Sequence, residues 1–262
     1  MSPVFSEVIL GKYTVTYFYC EKSGLLQSEK PYWLDEAYQE AIADTDTGLV
    51  QRNLSNSRFL EVLIPLMFNS EGKFLDVSGG YGLLTRLMRD KGFDFYSTDK
   101  YCKNLFASSF EPEANFKADA LFAFEVLEHI EDPLSFSTDI FSQYGCKTIV
   151  FSTLTFSNDQ IPSQDWWYYA FETGQHITFY QPRTLALIAK KLGCNYYMIS
   201  PEMHIFTDKV LSKVSLSILF NKYLNRIYVS YLKRKRKGRS KTWNDYLIAK
   251  EKLKQSQIKE YV

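Results

Sequence analysis

FLDVSGGYGLLTRLMRDKGFDFYSTDKY, residues 74–101, holds an apolar run, a glycine-rich turn, a helical pattern and a second apolar run. Phe74-Leu75-Asp76-Val77 reads as a buried strand, and Leu83, Leu84, Leu87 and Met88 recur at helical spacing. Between them Ser78, Gly79, Gly80 and Gly82 compress the chain into a tight turn facing the helix start, so a ligand can approach bare backbone. Gly92 ends the helix, and Phe93 to Thr98 reads as the next strand, closing at Asp99. An acid about 20 positions beyond such a turn, at a strand end, commonly takes ribose hydroxyls. The turn therefore suits a ligand that contains a nucleoside.

The dinucleotide pattern G-x-G-x-x-G fails here, because its third glycine position falls on Thr85. What remains is an acid followed by x-S-G-G-x-G. This resembles motif I of the class I S-adenosylmethionine-dependent methyltransferases, an acid followed by x-G-x-G-x-G, with Ser78 in place of the first glycine. The resemblance implies S-adenosylmethionine as cofactor. It implies that Asp76 lies near the ligand's amino-acid portion and that Asp99 holds the ribose. A glycine-rich turn with a solvated aspartate is the plain alternative.

Composition sets outer limits. A chain of 262 residues, 45% hydrophobic and 23% charged, suits one large domain or a domain with additions. A net charge of +1 supplies no global field for nucleic acid, which is not expected as a partner. No N-terminal apolar segment resembles a signal peptide, and no apolar run has membrane-spanning length. Cys20, Cys102, Cys146 and Cys194 are scattered, as reduced thiols in a cytoplasmic protein would be. In "YFYCEKSG" Ser23 stands where a C-x-x-C pair would need its second cysteine, so the stretch reads as a turn and not a zinc knuckle.

Strands and helices alternate along the rest of the chain. A short helix is expected from Cys102 to Phe110, a strand over 119–126, and a helix opened by Asp132-Pro133 and stopped by Gly145. A strand follows over 147–153, then a helix from Pro182 to Gly193 and two strands around Cys194–Ser200 and Met203–Phe206 as a hairpin. Helices around Trp33–Ile42 and Leu49–Phe68 precede the turn. The class is α/β: a Rossmann-like, seven-stranded, mostly parallel sheet with an antiparallel closing hairpin. Its third strand is reduced to "ANF" at 114–116. The expected divisions are an N-terminal extension over 1–70, a core over 71–209 with an aromatic insertion at 154–178, and an apolar-to-basic helical tail over 210–262.

"PYWLDEAYQEAIADTDTGLVQRN", the glycine turn, "FEVLEH", "DWWYY" and "GQHITFY", in that order, look like a bacterial methyltransferase group associated with surface polysaccharide and glycan biosynthesis. That resemblance implies O-methylation of a sugar or glycan precursor. A small aromatic, a lipid quinone precursor or an RNA end is the alternative acceptor. A different class, a non-catalytic binding or scaffold protein with a decayed site, is suggested by Ser78 and the missing cysteine.

Phe124 and Glu125 close the fourth strand, where an open α/β sheet places its ligand crevice, and join the expected cofactor-binding set. If a helical turn begins there, Glu125, Glu128 and His129 share one face. Glu128 and His129 could equally be a surface pair. His176 lies beside Trp166, Trp167, Tyr168 and Tyr169, a setting that caps substrate pockets or simply packs a loop. His204 has no assigned role. For a hydroxyl acceptor, His129 or His176 is the candidate base, with Glu128 beside it. The spacing Glu125-x-x-Glu128-His129 with a distant His176 is also similar to the E-x-x-E-H arrangement of metal-dependent O-methyltransferases. That similarity implies a divalent ion on Glu125, Glu128, His129 and His176, magnesium first, with manganese, cobalt or zinc admitted by the histidines.

The run "LKRKRKGRSK" at 232–241 follows an apolar helical stretch. A solvated face, nucleic-acid contact and attachment to an anionic membrane surface are its three readings. The last would place the protein at the inner face of the membrane.

Overall fold

The computed structural model describes residues 1–38, 45–157, 160–235 and 238–260, with only the backbone described at 222, 233 and 256–260. Along the chain come β1 (Ser2–Ile9), β2 (Tyr13–Cys20), β3 (Leu25–Ser28), α1 (Leu34–Ala37) and α2 (Leu49–Met67). Then follow β4 (Lys73–Val77), α3 (Leu83–Asp90), β5 (Asp94–Thr98), β6 (Ala120–Phe124), α4 (Pro133–Tyr144) and β7 (Thr148–Ser152). The remainder is β8 (Thr178–Phe179), α5 (Pro182–Lys191), β9 (Asn195–Met198), β10 (Met203–Thr207), α6 (Lys213–Phe220), α7 (Lys222–Lys235) and α8 (Thr242–Glu260).

These elements form two compact units, Met1–Asp46 with Ala120–Val210, and Thr47–Asp119 with Leu211–Val262. Each unit is assembled from segments distant in sequence. In the first unit β1, β2, β3 and β8 form an antiparallel sheet in that order. Val15 and Tyr17 of β2 are buried at alternate positions, the period of a strand with one face on a core. That core takes in Trp33, Tyr168, Tyr169 and Phe179, so the aromatic insertion packs on the N-terminal sheet. The same unit holds β6 parallel to β7, with β10 antiparallel to both β7 and β9. The closing hairpin is thus present. The second unit holds β4 and β5 as a parallel pair, with α2 packed on α3 and α7 packed on α2.

Local signals set several boundaries. The Asp132 carboxylate accepts from the amides of Leu134 and Ser135, Pro133 takes the first turn of α4, and Gly145 closes it at φ +63°. Gln181 and Thr184 cap α5 reciprocally ahead of Pro182. Cys20 to Gly24 is the turn between β2 and β3, with Gly24 N–H donating to the Cys20 carbonyl.

Two expectations are corrected, and a third lies partly outside the described residues. The α/β class holds, but with six strands of mixed direction in place of seven: residues 114–116 form a turn. Asn115 sits at φ +65°, which no extended strand accommodates, and the Phe116 amide turns back to the Glu113 carbonyl. Residues 102–110 are not helical either. There the Asn104 side chain bonds both the N–H and the C=O of Ala107, each at 2.9 Å, replacing the backbone bonds of a helix. The helix expected from Trp33 is described only as α1, since residues 39–44 lie outside the described set. Among the described residues no helix is long and apolar enough to cross a membrane.

His204, in β10, is fully buried. Its Nε2–H donates to the Thr153 carbonyl at 3.0 Å, so its Nδ1 accepts from the Tyr196 hydroxyl, also at 3.0 Å. Burial holds its pKa down to about 4. Because the unfolded imidazole titrates near 6.5, neutral His204 contributes stability that is complete above that pH and lost as pH falls through about 4. The contribution is at most about 3 kcal/mol. His204→Phe should flatten the acid limb of a stability-against-pH curve measured by denaturant titration over this window.

Candidate functional site

The glycine turn is built from left-handed backbone. Ser78, Gly80 and Gly82 have φ of +56°, +57° and +80°, and α3 starts immediately after Gly82. Each glycine has its own reason. A Cβ on Gly79 would collide with the carboxylate of Asp76 and the hydroxyl of Ser97, and one on Gly82 with the side chain of Asn104. At Gly80 nothing lies within 4 Å of that position, so this glycine faces open space.

Asp99 closes the turn. Its Oδ2 accepts from the Gly80 amide at 2.9 Å, and its Oδ1 from the amides of Tyr101 and Cys102, both at 2.7 Å. It is half-buried, and carboxylate oxygens retain lone pairs beyond these bonds for two vicinal hydroxyls. Asp76 lies deeper, buried beneath Gly79, where burial and then the charge of Asp99 push its pKa up to about 8. It supports the turn from below as a protonated carboxyl at neutral pH. Ser97 Oγ, buried in the same place, has no hydrogen-bond partner.

In the other unit, the chain leaving β6 kinks at Glu125, a non-glycine residue at φ +55°. Its amide donates to Ser152 Oγ at 2.7 Å, and that hydroxyl donates back to Glu125 Oε1. A single 3-10 turn, Leu127–His129, follows. Glu128 is fully buried there, with Oε1 accepting from the Tyr168 hydroxyl at 2.8 Å and Oε2 without a partner. Burial first, and then the charge of Glu125, raise its pKa well above the usual carboxylate range. His129 Nδ1–H donates to the Gln175 carbonyl at 2.9 Å, and His176 Nδ1–H to the Tyr168 carbonyl at 2.7 Å. In this tautomer Nε2 carries the lone pair. The two rings meet edge to face, centroids 4.8 Å apart. Burial, and then His176, depress the His129 pKa to about 3, so this ring is neutral at pH 7.

Ligand atoms of Glu128, His129 and His176 lie within 4.8 Å of one another. Glu125 is outside that set, because its left-handed kink precedes the 3-10 turn and its carboxylate is held by Ser152. The expected helical face of Glu125, Glu128 and His129 therefore does not form. An unpartnered buried Glu128 oxygen beside two imidazoles fits a cation, whose charge would displace the proton that burial favours on Glu128. Phe124 is half-buried at the end of β6. Of the aromatic insertion, Tyr168 faces inward while Trp167 is 73% exposed. Ser152 and Ser97 carry no spacing signal in the sequence, and Tyr168 stands out there only as one of four aromatics near His176.

A family model described as a methyltransferase domain matches residues 50–198. No curated protein sequence matches the chain. Among solved structures, an O-methyltransferase family protein from Burkholderia thailandensis aligns at 11% identity and TM-score 0.48, covering 67% of this chain and 62% of that one. Human N-acetylserotonin methyltransferase in complex with SAM aligns at 13% and 0.46, covering 68% and 66%. A methyltransferase of calicheamicin biosynthesis in its SAH-bound form aligns at 13% and 0.44, covering 68% and 60%. The chain spans less than two thirds of each.

Three substitutions probe the glycine turn and the Glu128 cluster. Ser78→Gly should raise stability by about 1 kcal/mol, the relief of a left-handed residue less the entropy glycine adds to the unfolded chain. Ser78→Val should lower it. Both are read by denaturant titration. Tyr168→Phe leaves both Glu128 oxygens buried without a donor and should cost about 1–3 kcal/mol in the same measurement.

Proposed function

Since the chain belongs to the methyltransferase-domain family, we propose that it carries the methyl group of S-adenosylmethionine to a hydroxyl oxygen of a sugar or glycan precursor. The half-buried Asp99 carboxylate, placed on the open side of a turn whose Gly80 faces free space, is the ribose site of this reading. The turn would hold the cofactor in place, and positioning supplies much of the acceleration in such a transfer. The exposed indole of Trp167 offers a flat apolar surface of the kind on which a sugar ring stacks. The thiols of Cys20, Cys102 and Cys194 support a reducing, cytoplasmic setting.

The observation that carries the acceptor chemistry is the unpartnered Glu128 Oε2 beside His129 and His176. With a conjugate acid near pKa 3, His129 is too weak a base to take a hydroxyl proton efficiently at neutral pH, so it suits the role of a ligand. Glu128, His129 and His176 would hold a divalent ion; by lowering the pKa of the acceptor hydroxyl it would let the proton leave to water as the methyl group moves from sulfur to oxygen. With Glu125 outside the set, one carboxylate and two imidazoles favour manganese, cobalt or zinc over magnesium. A decayed scaffold is a poorer reading, because Ser78 adopts the left-handed conformation of the glycine it replaces and the turn keeps its form.

Isothermal calorimetry should detect S-adenosylmethionine binding, and Asp99→Ala should weaken it by about 10- to 100-fold. Absence of binding by the parent chain overturns the methyltransferase reading for this protein. Labelled methyl transfer into glycan-precursor pools should be lost in excess chelator and return with manganese or zinc. Full activity in chelator overturns the metal alone.

A further inference from the structure

The chain's 31 Lys and Arg and 30 Asp and Glu are unevenly placed: eleven of the basic residues and none of the acidic ones fall in residues 209–244. The rest of the chain is therefore net acidic. This segment forms α6 and α7, and α7 turns two different faces. Tyr228 and Val229 are half-buried and Leu232 is buried on the face packed against α2. On the outward face Tyr223, Leu224, Ile227 and Tyr231 are exposed at helical spacing, continued by Phe220 and Val214 of α6. Ile227 is 68% exposed. Arg226, Arg234 and Lys235, all exposed, flank this stripe, and Lys235 Nζ lies 5.9 Å from the Tyr231 ring.

We propose that the outward face of α6 and α7 docks on an anionic lipid surface. Aliphatic side chains such as Leu224 and Ile227 gain by leaving water for an acyl layer, tyrosines favour the headgroup level, and the flanking cations meet anionic headgroups. No helix among the described residues is long and apolar enough to cross, so the segment lies on the surface. A second copy of the chain is a poor occupant, because two acid-free faces bearing these cations repel. Nucleic acid would use the cations but would leave the aliphatic stripe in water. The inference does not rest on the methyl-transfer reading.

Flotation of the full-length protein with vesicles tests it. Binding is expected to vesicles of phosphatidylcholine with phosphatidylglycerol, to be absent with phosphatidylcholine alone, and to fall with added salt. Replacing Arg226, Arg234 and Lys235 by Gln together should weaken it by on the order of 100-fold, taking about fivefold per removed charge. Ile227→Asp should weaken it too, with an unchanged melting temperature showing that the exposed site leaves the fold intact. No binding to anionic vesicles, or equal binding to neutral ones, overturns the proposal. So does an Ile227→Asp variant that dissociates a dimer while vesicle binding stays as in the parent. Tight retention of single-stranded RNA with no vesicle binding overturns it in favour of nucleic acid.

Discussion

The hydrogen bond from the Tyr168 hydroxyl to Glu128, made across 40 residues, is the contact on which the cluster of Glu128, His129 and His176 depends. The same hydroxyl accepts from the Leu154 amide, so it ties the segment leaving β7 to the turn after β6. The Tyr168 carbonyl orients His176, and its ring sits in the aromatic core with Tyr17 and Phe179. One residue thus sets a carboxyl, a histidine and the seating of the insertion on the N-terminal sheet. Burying Glu128 is tolerable because one oxygen is paired. The other stays unpaired, a cost of roughly 1–3 kcal/mol that a fold accumulates mainly at functional positions.

The glycine turn depends on a different constraint. Three positive φ values within five residues can close only if side chains are absent where the turn presses on Asp76, Ser97 and Asn104. Asp99 then fixes the turn from outside through three amides, which gives it a structural role beside the one proposed toward ribose. Any effect of replacing it on ligand affinity combines both.

A third buried charge organises the second unit. Arg89, at the end of α3, pairs with Asp245 of α8 and Asp94 of β5, donates to the Phe95 carbonyl, and lies 3.5 Å from the Phe110 ring centre. The charge is fully partnered, and breaking such a pair typically costs about 3–5 kcal/mol because the remaining ion stays buried. Asp245 is the first acid after the basic segment, so the chain is anchored immediately beyond its exposed cationic stretch.

Sequence alone determined the features whose causes are local. The Asp132-Pro133 start and Gly145 stop of α4, the Pro182 start of α5, the closing hairpin and the glycine turn with Asp99 beyond it each follow from residues a few positions apart. Family membership followed from the same turn. The tertiary structure decided the rest. Asn115 and the Asn104 side chain turned an expected strand and helix into loops, through conformations that hydrophobic pattern does not encode. Glu125 left the histidines because of one left-handed residue. His129 and His176 came together because Gln175 and Tyr168, in the insertion, offer carbonyls to each ring. Spacing reads what lies within a helical turn. Contacts between residues 40 or more positions apart depend on how buried surfaces pack, and no local pattern records that.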